Sequence, residues 1–224
     1  MKATAAVLKG AEGETIVNNL PVVSKLLGNQ QVVPVVVIED EAQAHGLASA
    51  LLAGGVTVIE ITLRNEYGIK AIELIKQSYP EMVVLAGTVN SAAQMAAVVK
   101  AGVDGIISPG LTRKLVETAQ ELGIPYLPGV ASASEVLLAM EFGLTECKLF
   151  PATVVGGIDA LKAFNGPFPK IKFCPTGGVS ESNYRDFLAL PNVMCVGGSW
   201  LAPTDLVRKG DWAAITELCK AITG

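Results

Sequence analysis

The sequence is poor in the side chains on which most hydrolytic and metal-dependent catalysis depends. It has one histidine, His45, and four cysteines in 224 residues, none of them in a CxxC pair. No His/Cys spacing resembles a zinc site, so we predict no metal. His45 falls in a predicted helix, far in sequence from any strand end, and we expect it to pack rather than react. These absences argue against histidine-based triads and metal hydrolases.

Charge and long apolar runs are also scarce. Only 17% of residues are charged, the net charge is −4, and no basic run suggests nucleic acid or an anionic membrane. Mean hydropathy is high at +0.46, yet no run approaches the roughly 20 apolar residues of a spanning helix. The N-terminus has no apolar core of the signal-peptide type. The cysteines read as buried hydrophobes in a reducing compartment, which predicts a cytoplasmic protein.

Short β-branched runs alternate with Ala/Leu/Glu-rich stretches from Gln31 onward, as in a parallel sheet covered by helices. Eight such strands are the number that closes a barrel. We therefore predict an α/β protein with a (β/α)₈ TIM-barrel fold and one domain over residues 1–224. The predicted strands are 32–38, 56–63, 82–89, 105–108, 126–130, 147–151, 172–176 and 193–198.

Residues 1–30 precede the first strand and are predicted to be a helical segment. Within them Ile16–Leu27 is amphipathic, and we expect it to plug the bottom of the barrel. The first barrel helix should begin after Asp40 and end near Gly54. Ser91 and Ser180 are candidate N-caps of later helices.

The second predicted strand carries polar residues inside an apolar run. Side chains alternate along a strand, so Glu60, Thr62 and Arg64 share one face. The intervening apolar residues should face the helices, which directs the polar face toward the barrel interior and its mouth. A structural Glu60–Arg64 ion pair would explain the pattern as well as a catalytic role would.

Lys148 stands in the sixth predicted strand in an apolar setting that the other lysines lack. An amine removed from water gives up its proton more readily, and a neutral amine can attack a ketone to form a Schiff base. A structural alternative is that Lys148 merely neutralises Glu60. The two interpretations are compatible, since Schiff-base chemistry needs a nearby acid/base.

Glycine-rich segments follow several strands. Gly177 and Gly178 end the seventh strand, and Gly197 and Gly198 end the eighth, where barrels often bind phosphate through backbone N–H groups. Other strand ends, at Thr88 and Pro109, suit close substrate approach, although turn chemistry alone would explain them. Trp200 is expected to pack.

The chain resembles the 2-keto-3-deoxy-6-phosphogluconate (KDPG) and 4-hydroxy-2-oxoglutarate (KHG) aldolase family from about Val32 to Trp200. The matching stretches are VVPVVVI, ALLAGGVTVIEITLR, AGTV, ISPGL, PGV, KLFPA, FCPTGGVSESNYRDFLAL and VGGSW. Two departures are Thr153-Val154, where family members often carry Glu-Ala, and the longer segment 1–20.

The resemblance implies a class I aldolase with Lys148 as Schiff-base lysine and Glu60 as general acid/base. It implies that Arg64 and Thr88 hold the pyruvate carboxylate, with Pro109 as a further substrate-binding residue. It also implies a phosphate cradle and a pocket wall, which comprise Gly177, Gly178, Gly198, Ser199, Phe150 and Thr176. No cofactor is expected beyond the lysine Schiff base, and the expected assembly is a homotrimer.

The implied reaction is reversible cleavage of KDPG to pyruvate and glyceraldehyde 3-phosphate. Alternatives within enzymes are an aldolase acting chiefly on unphosphorylated KHG or on the phosphogalactonate epimer. A phosphate-binding barrel isomerase would explain the loop glycines but not the buried lysine. A non-catalytic sugar-phosphate-binding barrel is the alternative outside enzymes, although it would not need to keep both Lys148 and Glu60.

Overall fold

The computed structural model describes residues 7–9, 15–17 and 20–223. Its elements alternate strand and helix as the sequence predicts. The strands are β1 Val7–Lys9, β2 Thr15–Val17, β3 Val32–Val36, β4 Val58–Thr62, β5 Val83–Gly87, β6 Gly105–Ile107, β7 Tyr126–Leu127, β8 Gly129–Val130, β9 Glu146–Leu149, β10 Lys172–Pro175 and β11 Val196–Gly198. The α-helices are α1 Glu41–Ala53, α2 Gly68–Ser78, α3 Ala92–Lys100, α4 Arg113–Leu122, α5 Ala133–Glu141, α6 Gly157–Asn165, α7 Tyr184–Leu188, α8 Thr204–Lys209 and α9 Trp212–Thr223.

The strands β3 to β11 form a parallel barrel. Six pair in the order β11-β3-β4-β5-β6-β7, and three in the order β10-β9-β8. Pro128 alone separates β7 from β8, and because proline has no N–H to donate, it divides one barrel position into two short strands. Parallel bridges from Thr176 to Gly197 and from Phe173 to Val193 join β10 to β11 and close the ring. The predicted (β/α)₈ barrel is thereby confirmed.

The helix starts follow ordinary capping chemistry. Asp40 accepts a hydrogen bond from Gln43 N at 2.8 Å at the start of α1, and Gly54 caps its end. Ser91 accepts from Gln94 N at 3.2 Å and begins α3. Both predictions are confirmed, whereas Ser180 as a cap is wrong, because α7 begins only at Tyr184. No described helix is long and apolar enough to cross a membrane.

The N-terminal segment differs from its prediction. Thr15–Val17 is a strand that pairs antiparallel with Val7–Lys9, so the helix expected from Ile16 is wrong there. A short 3-10 helix, Val23–Leu26, does cover the bottom of the barrel. Val23 and Leu27 pack on the inward side chains of the strands, which include Val33, Val58, Leu85, Ile107, Leu127, Cys174 and Cys195.

A buried carboxylate fixes this plug to β9. Glu146 is 8% exposed and accepts hydrogen bonds from both the backbone N–H and the hydroxyl of Ser24. A buried carboxylate needs such donors, because it has lost its water. The plug is therefore joined to the same strand that carries Lys148, two residues further along.

Replacing Ser24 by alanine is expected to lower the free energy of unfolding by about 1–3 kcal/mol, since the buried Glu146 carboxylate loses its hydroxyl donor. Urea unfolding followed by circular dichroism measures the change. Ser49→Ala, on the exposed side of α1, is the matched control and should shift the free energy by less than about 0.5 kcal/mol. Equal stabilities of the two variants would show that the Ser24 bond contributes nothing.

Candidate active site

The centre of the barrel holds an ion pair made by two strands on opposite sides of the ring. Glu60 projects from β4 and Lys148 from β9, and the Lys148 Nζ donates to the two Glu60 oxygens at 2.9 and 3.3 Å. The side chains are 1% and 6% exposed. The inward orientation of Glu60, predicted from strand alternation, and the burial of Lys148, predicted from its apolar setting, are both confirmed. The pair meets where water is largely excluded.

Neighbouring residues make room for this pair. A Cβ at Gly87, on the adjacent strand β5, would overlap with the Glu60 carboxylate. Phe150 lies beyond Lys148, with the Nζ 5.4 Å from its ring centroid. Thr62 donates to Val36 O at 2.9 Å, which ties β4 to β3 below the mouth. The lysine thus has one carboxylate and one aromatic face around it.

Arg64 lies beyond the end of β4 rather than within it. The strand stops at Thr62, and Arg64 is exposed at the mouth, beside a depression of about 350 Å³. It makes no ion pair with any residue of 20–223, so the structural Glu60–Arg64 pair is not formed. Its guanidinium is available to a carboxylate from solution.

Thr88 lies beside Arg64 because β4 and β5 are in register. Thr62 pairs with Gly87, and Leu63 N donates to Gly87 O at 2.9 Å. Thr88 has φ +59 and is the one non-glycine residue with positive φ in the described part of the chain. A β-branched residue there is strained, a feature that concentrates at functional sites.

Pro109 is exposed and sits in a loop that two hydroxyls hold in place. Ser108 donates to Gly110 O and contacts the Tyr126 hydroxyl, each at 2.6 Å. Burial raises the pKa of the Tyr126 phenol well above its ordinary value, so it stays protonated. A Cβ at Gly129 would overlap with Pro109 O, which shows how closely the loop covers β8.

Glycines at the ends of β10 and β11 form a second region of the same mouth. Gly177 and Gly178 have φ +95 and +79, a conformation that glycine adopts without strain. Thr176 is buried against Gly197, while Ser199 is exposed. Trp200 packs over Gly198 and lies 5.5 Å from the Tyr184 ring, in agreement with its predicted packing role.

His45 and the four cysteines lie outside this mouth, and their burial is as the sequence suggests. His45 is half-buried on α1, 5.9 Å from the Tyr79 ring between centroids, and lies outside the site. The four cysteines are free and buried, and burial raises the pKa of the Cys147 thiol to about 12. Among the described residues, no cluster of three or more His, Cys, Asp or Glu side chains could hold a metal ion.

Sequence reasoning missed three residues behind the site. Asn65, Thr153 and Asn183 hydrogen-bond the loops that carry Arg64 and the glycines. For the asparagines there was a signal, since each stands just ahead of a helix, where asparagine commonly bonds nearby backbone. The bonds of Asn65 to Ile38 and of Thr153 to Gly177 join separate loops, and these could not be found from the sequence.

Comparison with known proteins identifies the family. A family model described as KDPG and KHG aldolase matches residues 23–218. The chain belongs to the KDPG and KHG aldolase family. A relative named 2-dehydro-3-deoxy-phosphogluconate aldolase, from Dickeya dadantii, is 52% identical over 194 residues, which cover 86% of this chain and 91% of that protein.

Two solved KDPG aldolases share the fold. The Legionella pneumophila enzyme, with pyruvate captured as a covalent carbinolamine, is 46% identical, with a TM-score of 0.88 and coverage of 90% of this chain and 98% of the other. The Zymomonas mobilis enzyme with 3-phosphoglycerate is 41% identical, with a TM-score of 0.83 and coverage of 88% and 93%. This family member is therefore an aldolase, a lyase on a TIM-barrel-like fold.

The closeness of Gly87 to Glu60 gives a test of the site. Gly87→Ala is expected to lower aldol turnover at least tenfold, because the added methyl displaces the carboxylate from Lys148. Steady-state kinetics measures the loss, and circular dichroism checks the fold. Gly166→Ala is the control, because a Cβ there meets nothing within 4 Å. Unchanged turnover in Gly87→Ala would contradict a requirement for this geometry.

Proposed function

We propose that this protein cleaves KDPG reversibly to pyruvate and glyceraldehyde 3-phosphate as a class I aldolase, with Lys148 as the nucleophile. The single observation that supports this best is the buried Lys148–Glu60 pair, 2.9 Å between Nζ and Oε1. An ion pair on the solvated surface would give no reason to infer catalysis. Here both charges have lost most of their water, at a cost that a structural role alone does not require.

The substrate carboxylate binds Arg64 and Thr88 at the mouth, which directs the C2 ketone toward Lys148. A proton passes from the amine to Glu60 along their hydrogen bond. The neutral Nζ attacks C2 to give a carbinolamine, and loss of water leaves an iminium. The iminium is an electron sink for the next step.

Carbon–carbon cleavage then follows from the same two residues. Glu60, ionised again, takes the proton of the C4 hydroxyl directly or through a water, and the C3–C4 electron pair moves into the iminium. The C4 fragment leaves as the aldehyde. The resulting enamine is protonated at C3, and addition of water to the iminium releases pyruvate and the free amine. No metal or organic cofactor is required in this scheme.

Phosphate recognition is assigned to the glycine segments at the ends of β10 and β11. Gly177, Gly178, Gly198 and Ser199 border the mouth, and glycines allow the backbone to approach an anion closely. Phe150, Pro109 and Thr176 complete the binding residues. The binding energy of the substrate phosphate can then be used to orient the reacting carbons.

Unphosphorylated KHG is a second candidate substrate, because the family description includes both substrates. Comparing kcat/KM for KDPG, its galactonate epimer and KHG decides the preference. Homotrimeric assembly, a single domain and a cytoplasmic location stay predictions.

Borohydride trapping tests the nucleophile. Incubation of the wild-type protein with pyruvate and sodium borohydride should give a covalent adduct on Lys148, located by peptide mass spectrometry. Lys162→Met, at an exposed position on α6, should retain the adduct. An adduct on another lysine would refute the assignment.

Substitution tests the same residue independently. Lys148→Met is expected to reduce aldol activity to background, although it leaves Glu60 buried and unpaired and can cost about 3–5 kcal/mol of stability. Lys148→Arg keeps a cation opposite Glu60 but cannot form the Schiff base, so it should be folded and equally inactive. Substantial activity in either variant would exclude Lys148 as the nucleophile.

Glu60→Gln separates catalysis from binding. The amide keeps the shape of the side chain but cannot accept the C4 hydroxyl proton, so kcat is expected to fall by a factor of about 100 or more. The KM for KDPG should change much less. A loss confined to KM would indicate that Glu60 binds substrate and does not transfer the proton.

A further inference from the structure

Two residues hold the glycine loop after β10, one that precedes the loop in the sequence and one that follows it. Thr153 donates to Gly177 O through its backbone N–H at 3.1 Å and its hydroxyl at 3.3 Å. Asn183 donates its Nδ2 to Gly178 O at 3.1 Å and accepts from Ser180 N at 2.8 Å. Each glycine carbonyl is therefore engaged by a separate donor.

These bonds fix the orientation of two successive peptide planes. In a trans peptide the C=O and the following N–H point in opposite directions. Holding Gly177 O therefore directs the Gly178 N–H away from Thr153, and holding Gly178 O directs the Val179 N–H away from Asn183. Neither N–H has a hydrogen-bond partner within residues 20–223. The loop thus presents donors, as an anion requires.

Without these bonds the loop has little to hold it. Gly177 and Gly178, with φ +95 and +79, can rotate more freely than any other residue type. A flipped peptide would present a carbonyl oxygen where the donor now lies, and an oxygen repels a phosphate. Asn183 is the side chain that prevents this flip at the Gly178–Val179 peptide.

Asn65 restrains a loop at the opposite end of the mouth in the same way. It follows Arg64 directly, donates to Ile38 O at 2.9 Å, and accepts from Tyr67 N and Gly68 N, both at 3.1 Å. The bond to Ile38 joins the loop after β4 to the loop after β3, and the other two fix Asn65 to the start of α2. They restrict the backbone from which the Arg64 side chain projects.

We propose that Asn183 and Asn65 are positioning residues for opposite ends of the substrate, with Asn183 setting the preference for a phosphorylated over an unphosphorylated substrate. Asn65 supports the carboxylate end, which both substrates share. The proposal rests on the proposed function. Neither asparagine touches the reacting atoms, and each acts through the loop that it holds.

The experiment compares Asn183→Ala, Asn65→Ala and the control Asn29→Ala, at an exposed position at the other end of the barrel. For each, kcat/KM is measured with KDPG and with KHG. The KM for pyruvate is measured from exchange of its C3 protons in D₂O, followed by NMR. Melting temperatures and borohydride trapping on Lys148 accompany the kinetics.

Asn183→Ala is expected to lower the ratio of kcat/KM for KDPG to that for KHG about tenfold. Asn183→Asp should lower it further, since a carboxylate cannot donate to Gly178 O and adds negative charge near the phosphate. Asn65→Ala should raise the KM for pyruvate about tenfold and shift the ratio by less than about twofold. Asn29→Ala should match the wild type.

Equal losses on both substrates in Asn183→Ala and Asn183→Asp would overturn the proposal, because they would indicate a merely structural role. So would an unchanged KM for pyruvate in Asn65→Ala. If the wild-type protein itself gives no pyruvate adduct, the proposed function fails instead. An adduct in every variant, with unchanged ratios, would remove only the role of the asparagines.

Discussion

The structure depends on one costly interaction, the ion pair between Lys148 and Glu60 at the barrel centre. Taking both groups out of water costs several kcal/mol each, and their attraction offsets this only with good geometry. The barrel supplies that geometry from opposite strands, with a glycine at position 87 where any side chain would collide with the carboxylate. Much of the surrounding sequence follows from this requirement: inward polar residues, small neighbours and an otherwise apolar interior.

The chemistry is divided between rigid strands and the loops that follow them. The ion pair lies on β4 and β9, whose positions are set by backbone pairing on both sides. Arg64, Thr88, Pro109, Gly177 and Gly178 lie on loops, where hydrogen bonds from side chains replace many of those of the strand ladder. Because of this division, changes in the loop residues can alter which end groups of a substrate the site accepts. Proton transfer and carbon–carbon cleavage still depend on residues of the strands.

The sequence predicted most of what depends on local periodicity. The alternation of side chains along a strand predicted that Glu60 points inward, and the apolar neighbours of Lys148 predicted its burial. Both predictions were possible because they need only the neighbouring residues. It failed where contacts between distant residues decide the outcome. Thr15–Val17 pairs with another strand despite its amphipathic pattern. The bonds of Asn65 to Ile38 and of Thr153 to Gly177 join separate loops, and no local pattern reports them.

The short helix that plugs the bottom of the barrel affects the polarity of the surroundings of Lys148 and Glu60. Val23 and Leu27 close the end opposite the mouth, and Ser24 is fastened to Glu146, on the strand of Lys148. In the part of the chain that the structure describes, these contacts close the floor of the barrel beneath the lysine. Substitutions that shorten Val23 or Leu27 would let water rise through the floor and raise the local polarity. Residues remote from the substrate thus help to exclude water from the Lys148–Glu60 pair.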